Sequence, residues 1–145
     1  MSVFHKMYLG NDCDFNQLKK SVIDFVSEND VRIVDTNNEL IIASEGFTMF
    51  IKEGGNSVAF RSEDYRLNFK FDFYIDINNS YANWAVELME FAGKLLKSYN
   101  SDFVLETNGD SAYIMRKKED GIIIVDDTKL GVFPFDSLGL GYKKM

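Results

Sequence analysis

The sequence predicts an α+β domain: a curved antiparallel β-sheet with helices packed on one face. Three observations carry that prediction. The stretch "YRLNFKFDFYIDIN", residues 65–78, alternates apolar and polar residues over its whole length, which is the period of a half-buried strand. Two segments, 15–28 and 81–99, repeat apolar residues at helical spacing. Around them lie short β-branched and aromatic pieces divided by Asn-Asn, Glu-Gly and Gly-Gly-Asn, the punctuation of an antiparallel meander. About seven to nine strands, with two helices on one face, account for the chain.

Taken in order, residues 3–9 read as a first strand. Asp12 or Asp14 then caps a helix from Phe15 to Glu28, and Asp14 with Gln17 three residues on has the form of a capping box. Phe15, Leu18, Val22, Phe25 and Val26 make its inward stripe, while Lys19, Lys20, Asp24 and Glu28 stay outside. The segment after it reads as a meander that includes a strand around Ser57–Arg61, with "EGGNS" as a hairpin turn. In the alternating strand, Leu67, Phe69, Phe71, Phe73, Ile75 and Ile77 face the core. Asn68, Lys70, Asp72, Tyr74, Asp76 and Asn78 face the other way.

Asn79 or Ser80 starts the second helix, whose stripe is Tyr81, Ala85, Leu88, Ala92, Leu95 and Tyr99, widened by Trp84 and Phe91. Gly93 inside it costs about 1 kcal/mol against Ala, which a close approach of helix to sheet would justify. Three strands follow, "DFVLETN", "SAYIMRK" and "GIIIVDD". The tail, 126–145, keeps Val132, Phe133, Phe135, Leu138 and Leu140 and reads as an extended strap along the body. The halves also look alike. Aligned so that Ser27 meets Ser98, Asn29, Thr36 and Asn37 meet Asn100, Thr107 and Asn108. Two readings stay open: a βαβββ duplication, or two helix-to-hairpin junctions obeying the same turn rules.

Composition bounds the rest. A chain of 145 residues is one domain, 1–145, and 46% hydrophobic residues with 13 Phe remove it from the disordered class. No apolar run is long enough to span a membrane, and "MSVFHKMYLG" lacks the apolar stretch of a signal peptide. The single Cys13 cannot form an internal disulfide, which fits a reducing cytoplasm. A net charge of −7, from 23 acids and 16 bases, disfavours nucleic acid as a direct ligand. It accommodates a basic partner, and it equally serves solubility.

Signals for chemistry are sparse. His5 has no nucleophile or orienting acid beside it and reads as a surface or edge histidine. Cys13, flanked by Asp12 and Asp14, reads as a structural thiol. Zinc and nucleotide motifs are absent, so no catalytic set, metal or cofactor is expected. What remains is a surface. Glu63, Asp64, Lys70, Asp72, Tyr74 and Asp76 form a candidate partner-binding face, because Tyr among acids suits a basic protein partner. The wet side of a one-sided sheet has the same composition. Tyr81 and Trp84 form an alternative pocket between the second helix and the sheet.

The second half carries a further pattern. A helix ending "GKLLKSYN" leads into "SDFVLETNGDSAYIMRKKEDGIIIVDD". This order resembles the closing segment of swarming-inhibition (Sit-type) immunity proteins of bacterial polymorphic toxin systems. There an acidic-start strand, an Asn-Gly turn, a strand ending in Arg and a last strand after Gly follow a helix. Asp102, Asn108, Gly109, Asp110, Arg116 and Gly121 occupy those places, over roughly the last third of the chain. "KKED" lengthens the last turn relative to that pattern. The resemblance implies a small, cytoplasmic, non-catalytic protein that neutralises a cognate toxin, in many cases a basic nuclease domain, by binding it. The residues alone leave two other readings open: a small-molecule binder or enzyme using the pocket at Trp84, and a structural or self-assembling module such as a homodimer.

Overall fold

The computed structural model describes residues 3–10, 12–27, 30–107 and 111–145. In chain order these form β1 (Val3–Leu9), α1 (Phe15–Val26), β2 (Arg32–Asp35), β3 (Leu40–Ala43), β4 (Phe47–Glu53), α2 (Asn56–Tyr65), β5 (Phe71–Ile77) and α3 (Trp84–Ser98). Then come β6 (Phe103–Thr107), β7 (Ala112–Arg116), β8 (Ile123–Val125), a 3-10 turn at Phe135–Leu138, and β9 (Lys143–Lys144). The strands make one sheet in the order β2-β3-β4-β5-β1-β6-β7-β8-β9. Every pairing is antiparallel except β8 with β9. The class is α+β, as the sequence predicts. No described helix is long and apolar enough to cross a membrane.

Helix α1 begins where its capping box places it. Asp14 Oδ1 accepts from the Gln17 amide at 2.8 Å, and Gln17 Oε1 accepts from the Asp14 amide at 2.9 Å. Leu18, Val22 and Val26 are buried on the sheet. Lys19, expected outside, is buried too: its amine donates to the Thr36 carbonyl at 2.6 Å and pairs with Asp35 at 2.9 Å. Its stem covers apolar surface while the ammonium finds oxygens at the β2–β3 turn.

Helix α3 starts later than expected, at Trp84 rather than near Ser80. Asn78 Oδ1 accepts from the Ser80 amide at 3.2 Å, so the asparagine-rich segment closes a local turn before the helix begins. Leu88, Met89, Phe91, Ala92, Leu95 and Leu96 are then buried.

Helix α2 replaces the strand expected around Ser57–Arg61. Its inward residues, Val58, Arg61, Ser62 and Tyr65, are less exposed than their neighbours and recur at helical spacing. Two are polar, which hides the period from a hydrophobic reading. "EGGNS" is accordingly not a hairpin turn. Gly54 and Gly55, at φ of 72° and 103°, carry β4 directly into α2. Arg66 ends the helix in the left-handed region at φ 55°, and the Leu67 amide reaches back to the Ser62 carbonyl at 3.0 Å.

The long alternating segment is therefore not one strand. Only Phe71–Ile77 pairs, with Phe71, Phe73, Ile75 and Ile77 under α1 and α3. Leu67 and Phe69 pack on the opposite face, against Tyr8 and Val58. Helices α1 and α3 thus share one face, as expected, and α2 is an additional helix on the second.

Each half runs strand, helix, three strands, with α2 inserted between them. A two-fold relation between halves would set β8 beside β1, because β4 lies beside β5. Instead β6 lies beside β1. The shared element order is therefore not a symmetric pairing of two equal halves.

The tail does run along the body and also extends the sheet, through Ile124 opposite Lys143 and Val125 opposite Lys144. Phe135 and Leu138 are buried, whereas Val132 is fully exposed. Gly93 serves this tail and not the sheet: a Cβ there would lie 2.0 Å from the Leu138 carbonyl oxygen. Gly93→Ala is expected to lift the strap and cost about 1–3 kcal/mol, read as a lowered urea midpoint. Unchanged stability would show that the strap yields freely at this point.

Candidate functional site: an open half-face of the sheet

On the second face, register sets side chains in rows. One row runs Val34, Ile41, Phe50, Tyr74, Lys6 and Glu106 across β2, β3, β4, β5, β1 and β6. The next runs Arg32, Ala43, Thr48, Asp76 and Phe4. Helix α2 packs over Tyr8, Phe69, Val104 and Ala112, which leaves the β2–β5 side of this face without a described element above it. There Phe4 stacks on Tyr74 with ring centroids 5.0 Å apart, and Phe50 meets Tyr74 edge-on at 6.1 Å. Val34 is 51% exposed, and Ile41, Phe50, Tyr74 and Phe4 are half-buried. Side chains of this kind, directly opposite one another, make a firm apolar stripe.

The six residues expected to form one binding face are divided. Glu63 and Asp64 stand exposed on α2, and Asp64 pairs with Arg61 at 2.9 Å. Lys70 precedes β5 and turns away, its amine 3.2 Å from the Cys13 carbonyl oxygen and 3.2 Å from Glu53. Asp72 is 2% exposed and held by Lys6 at 2.5 Å. Only Tyr74 and Asp76 remain on the open stripe. The charges around it have both signs, with Arg32, Lys52, Glu39 and Asp76, so the face is amphipathic and not acidic.

Beneath α2 lies a polar network with no local sequence signal. Glu106, 1% exposed, accepts from Arg61 Nε and the Tyr65 hydroxyl, each at 2.9 Å. Burial works to lower the Arg61 pKa, but the hydrogen bond and charge of Glu106, with the Asp64 hydrogen bond, together outweigh it and raise the pKa. Burial, with the Asp72 and Glu106 charges, pushes the Tyr8 phenol up to about 12. The Lys6 ammonium lies 5.4 Å and 5.6 Å from the Tyr8 and Tyr74 ring centroids. Each carboxylate here is tied to a cation, so the network fastens α2 to the sheet.

His5 is neither at the surface nor at an edge. Strand β1 is central, and the ring is 2% exposed, its Nδ1 2.7 Å from the Tyr113 hydroxyl oxygen. Burial lowers its pKa from 6.5 to about 4. Above pH 6.5 the imidazole is neutral in both folded and unfolded chains. Below it the unfolded chain takes up a proton that the folded one refuses, so stability falls as pH drops toward 4. The expected loss across that window is about 2–3 kcal/mol. His5→Gln, which keeps a polar atom for Tyr113, should flatten the profile in urea titrations at stepped pH. An equally steep profile in the variant would assign the effect elsewhere.

Cys13 is half-buried and free, and burial raises its thiol pKa while Tyr99 and Lys70 oppose that rise. Among the described residues no group of three or more His, Cys, Asp or Glu side chains is placed to hold a metal ion.

Trp84 and Tyr81 do not share a pocket. The Trp84 ring lies 5.5 Å edge-on from His5 and 5.8 Å from Phe133, beneath the C-terminal strap. Tyr81 lines a separate cleft of about 430 Å³ between α1, α3 and the β3–β4 turn. Asp30, Glu45, Glu87 and Glu90 also line it. The combination of Tyr with acids therefore occurs at Tyr81, on the other side of the sheet from Tyr74.

The described residues that carry the sequence resemblance act in the fold. Arg116 is 5% exposed and donates to carbonyls at the end of α3. Nη1 reaches Leu96 at 2.7 Å, Nε and Nη2 reach Ser101 at 3.1 Å and 2.8 Å, and Nη2 also reaches Tyr99. Those of Leu96 and Tyr99 belong to the helix end, which leaves its last carbonyls without backbone partners. Asp102 accepts from the Asn68 amide at 2.9 Å and the Lys118 amide at 2.8 Å. Gly121, at φ 69°, closes the turn after β7, and Asn108, Gly109 and Asp110 lie outside the described residues. No protein-family model, curated protein or solved structure matches the chain.

Proposed function

We propose that the protein acts by binding another protein, in the way an immunity protein neutralises a cognate toxin domain, and that the open half-face centred on Tyr74 makes the contact. The aromatic stripe Phe50–Tyr74–Phe4, left uncovered by α2 and ringed by charges of both signs, carries this reading. Rigid aromatic anchors inside a polar rim are what protein interfaces concentrate their energy in. The resemblance of roughly the last third of the chain to Sit-type immunity proteins supports the same reading. The net charge of −7 favours fast encounter with a basic domain such as a nuclease, while the stripe supplies the hold.

The test is capture of the partner in the native host through low-salt and high-salt washes, followed by co-expression with the captured protein. A single toxin whose activity is suppressed by the wild type supports the proposal. Tyr74→Ala should weaken its binding about 30-fold, and Asp76→Lys should mainly change the association rate and its salt dependence. Full affinity in a Tyr74→Ala, Phe50→Ala double variant that remains folded would remove the contact from this face. No partner, in a host shown to express any neighbouring toxin gene, would remove the function.

A further inference from the structure

We propose that the cleft lined by Tyr81 is a binding site for a small organic cation, an amine carried on an alkyl or arylalkyl body. Its volume, about 430 Å³, lies in the range of small-molecule sites. The floor is apolar and firm. Phe91 packs edge-on against Phe25 at 6.0 Å and Phe47 at 6.5 Å, with Ile42 fully buried beside them.

The rim has the opposite character. Of the charged residues that line the cleft, Asp30, Glu45, Glu87 and Glu90 are acids and Lys94 is the one base among the described residues. Lys94 Nζ donates to the Phe25 carbonyl at 2.9 Å, at the end of α1. That carbonyl engages its ammonium, and the four acids remain in excess of it around the cleft.

The Glu87 carboxylate has a prepared seat. Ser44 Oγ stands 3.2 Å from its Oε1 and 3.2 Å from the Phe47 carbonyl oxygen, sharing one proton between them, and a Cβ on the buried Gly46 would come within 2.7 Å of that Oε1. The same Cβ would lie 3.0 Å from the Trp84 Cα, so the glycine lets the β3–β4 turn lie close against the start of α3, beside Glu87. Acids around a low-dielectric floor focus a field that attracts cations and repels anions. Aromatic side chains below add apolar contact for the body of the ligand and cation–π attraction for its head. A neutral ligand would use only half of this arrangement. The cleft and the Tyr74 face lie on opposite sides of the sheet, so this proposal stands apart from the partner-binding one.

The experiment is an amide-resolved NMR titration of the full chain with phenethylamine, and with 2-phenylethanol as its neutral counterpart. Phenethylamine should shift the Ser44, Tyr81, Glu87 and Phe91 amides saturably, with a Kd of about 1 mM or tighter. The alcohol and the Glu87→Gln variant should each bind about threefold more weakly. Absence of saturable shifts at those amides, or equal affinity for amine and alcohol, overturns the proposal. So does unchanged amine affinity in Glu87→Gln. Should Glu87→Gln fail to fold, Glu90→Gln and Glu45→Gln carry the same test. Tyr74→Ala should leave amine binding intact, and Glu87→Gln should leave partner capture intact, so failure of one proposal is separable from failure of the other.

Discussion

Arg116→Met is expected to destabilise the protein by about 3 kcal/mol or more, through the carbonyls it leaves behind. The guanidinium is 5% exposed and answers the carbonyls of Leu96, Tyr99 and Ser101 at once. Methionine fills similar space but donates nothing, and Arg116 and Ser101 are themselves buried. Burial lowers the Arg116 pKa, opposed by Asp12 and Asp102, so the buried cation rests on these oxygens and on acids at longer range. Arg116→Lys should recover only part of the loss, because a point ammonium cannot span three acceptors with a planar fork. Urea unfolding gives the magnitude, and amide exchange should show protection lost first at residues 96–99. A cost under about 1 kcal/mol for Arg116→Met would mean that solvent replaces the cap.

Asp72→Lys should be nearly as damaging, and for a reason that bears on how the binding face is studied. Asp72 lies on the second face, where a strand reading of residues 65–78 expects an exposed acid. In the fold it is buried and paired with Lys6 at 2.5 Å. A lysine at 72 would set two ammonium groups together in a desolvated place and cost about 3–5 kcal/mol. Asp76→Lys, on an exposed position of the same strand, should stay within about 0.5 kcal/mol of wild type. The pair Lys6→Met, Asp72→Met should recover most of what either single change loses, since apolar replacement of a buried pair is often near neutral. If Asp72→Lys unfolds at the wild-type midpoint, Asp72 is not held as described. If it unfolds early, any loss of binding in that variant reports stability and not contact.

The start of the first helix is legible in the sequence because its signal is local. Asp14 and Gln17 place the start of α1 because a capping box needs only residues three apart. The late start of α3 at Trp84 differs from the expected one near Ser80 because an Asn78 side chain closes a turn first. Helix α2 is not legible in the hydrophobic period because its inward side mixes Val58 and Tyr65 with Arg61 and Ser62, polar residues turned inward by pairing. The alternation from Leu67 to Ile77 misled in a different way. Its first apolar pair, Leu67 and Phe69, serves α2 on one face, and the rest serves α1 and α3 on the other.

The sequence by itself determined the α+β class, most of the strands, the first helix and its cap, and a tail too apolar to hang free. These follow from backbone preference, side-chain period and turn chemistry, all of which act over a few residues. The tertiary structure alone decided which side chains meet. Lys6 finds Asp72 across a separation of 66 residues, and Arg61 finds Glu106 across 45. Strand register sets Phe4, Phe50 and Tyr74 in contact, and it gathers acids from α3 and the β3–β4 turn around Tyr81. Burial and charge pairing depend on what lies across the sheet, and one strand's sequence holds no record of its neighbour's register.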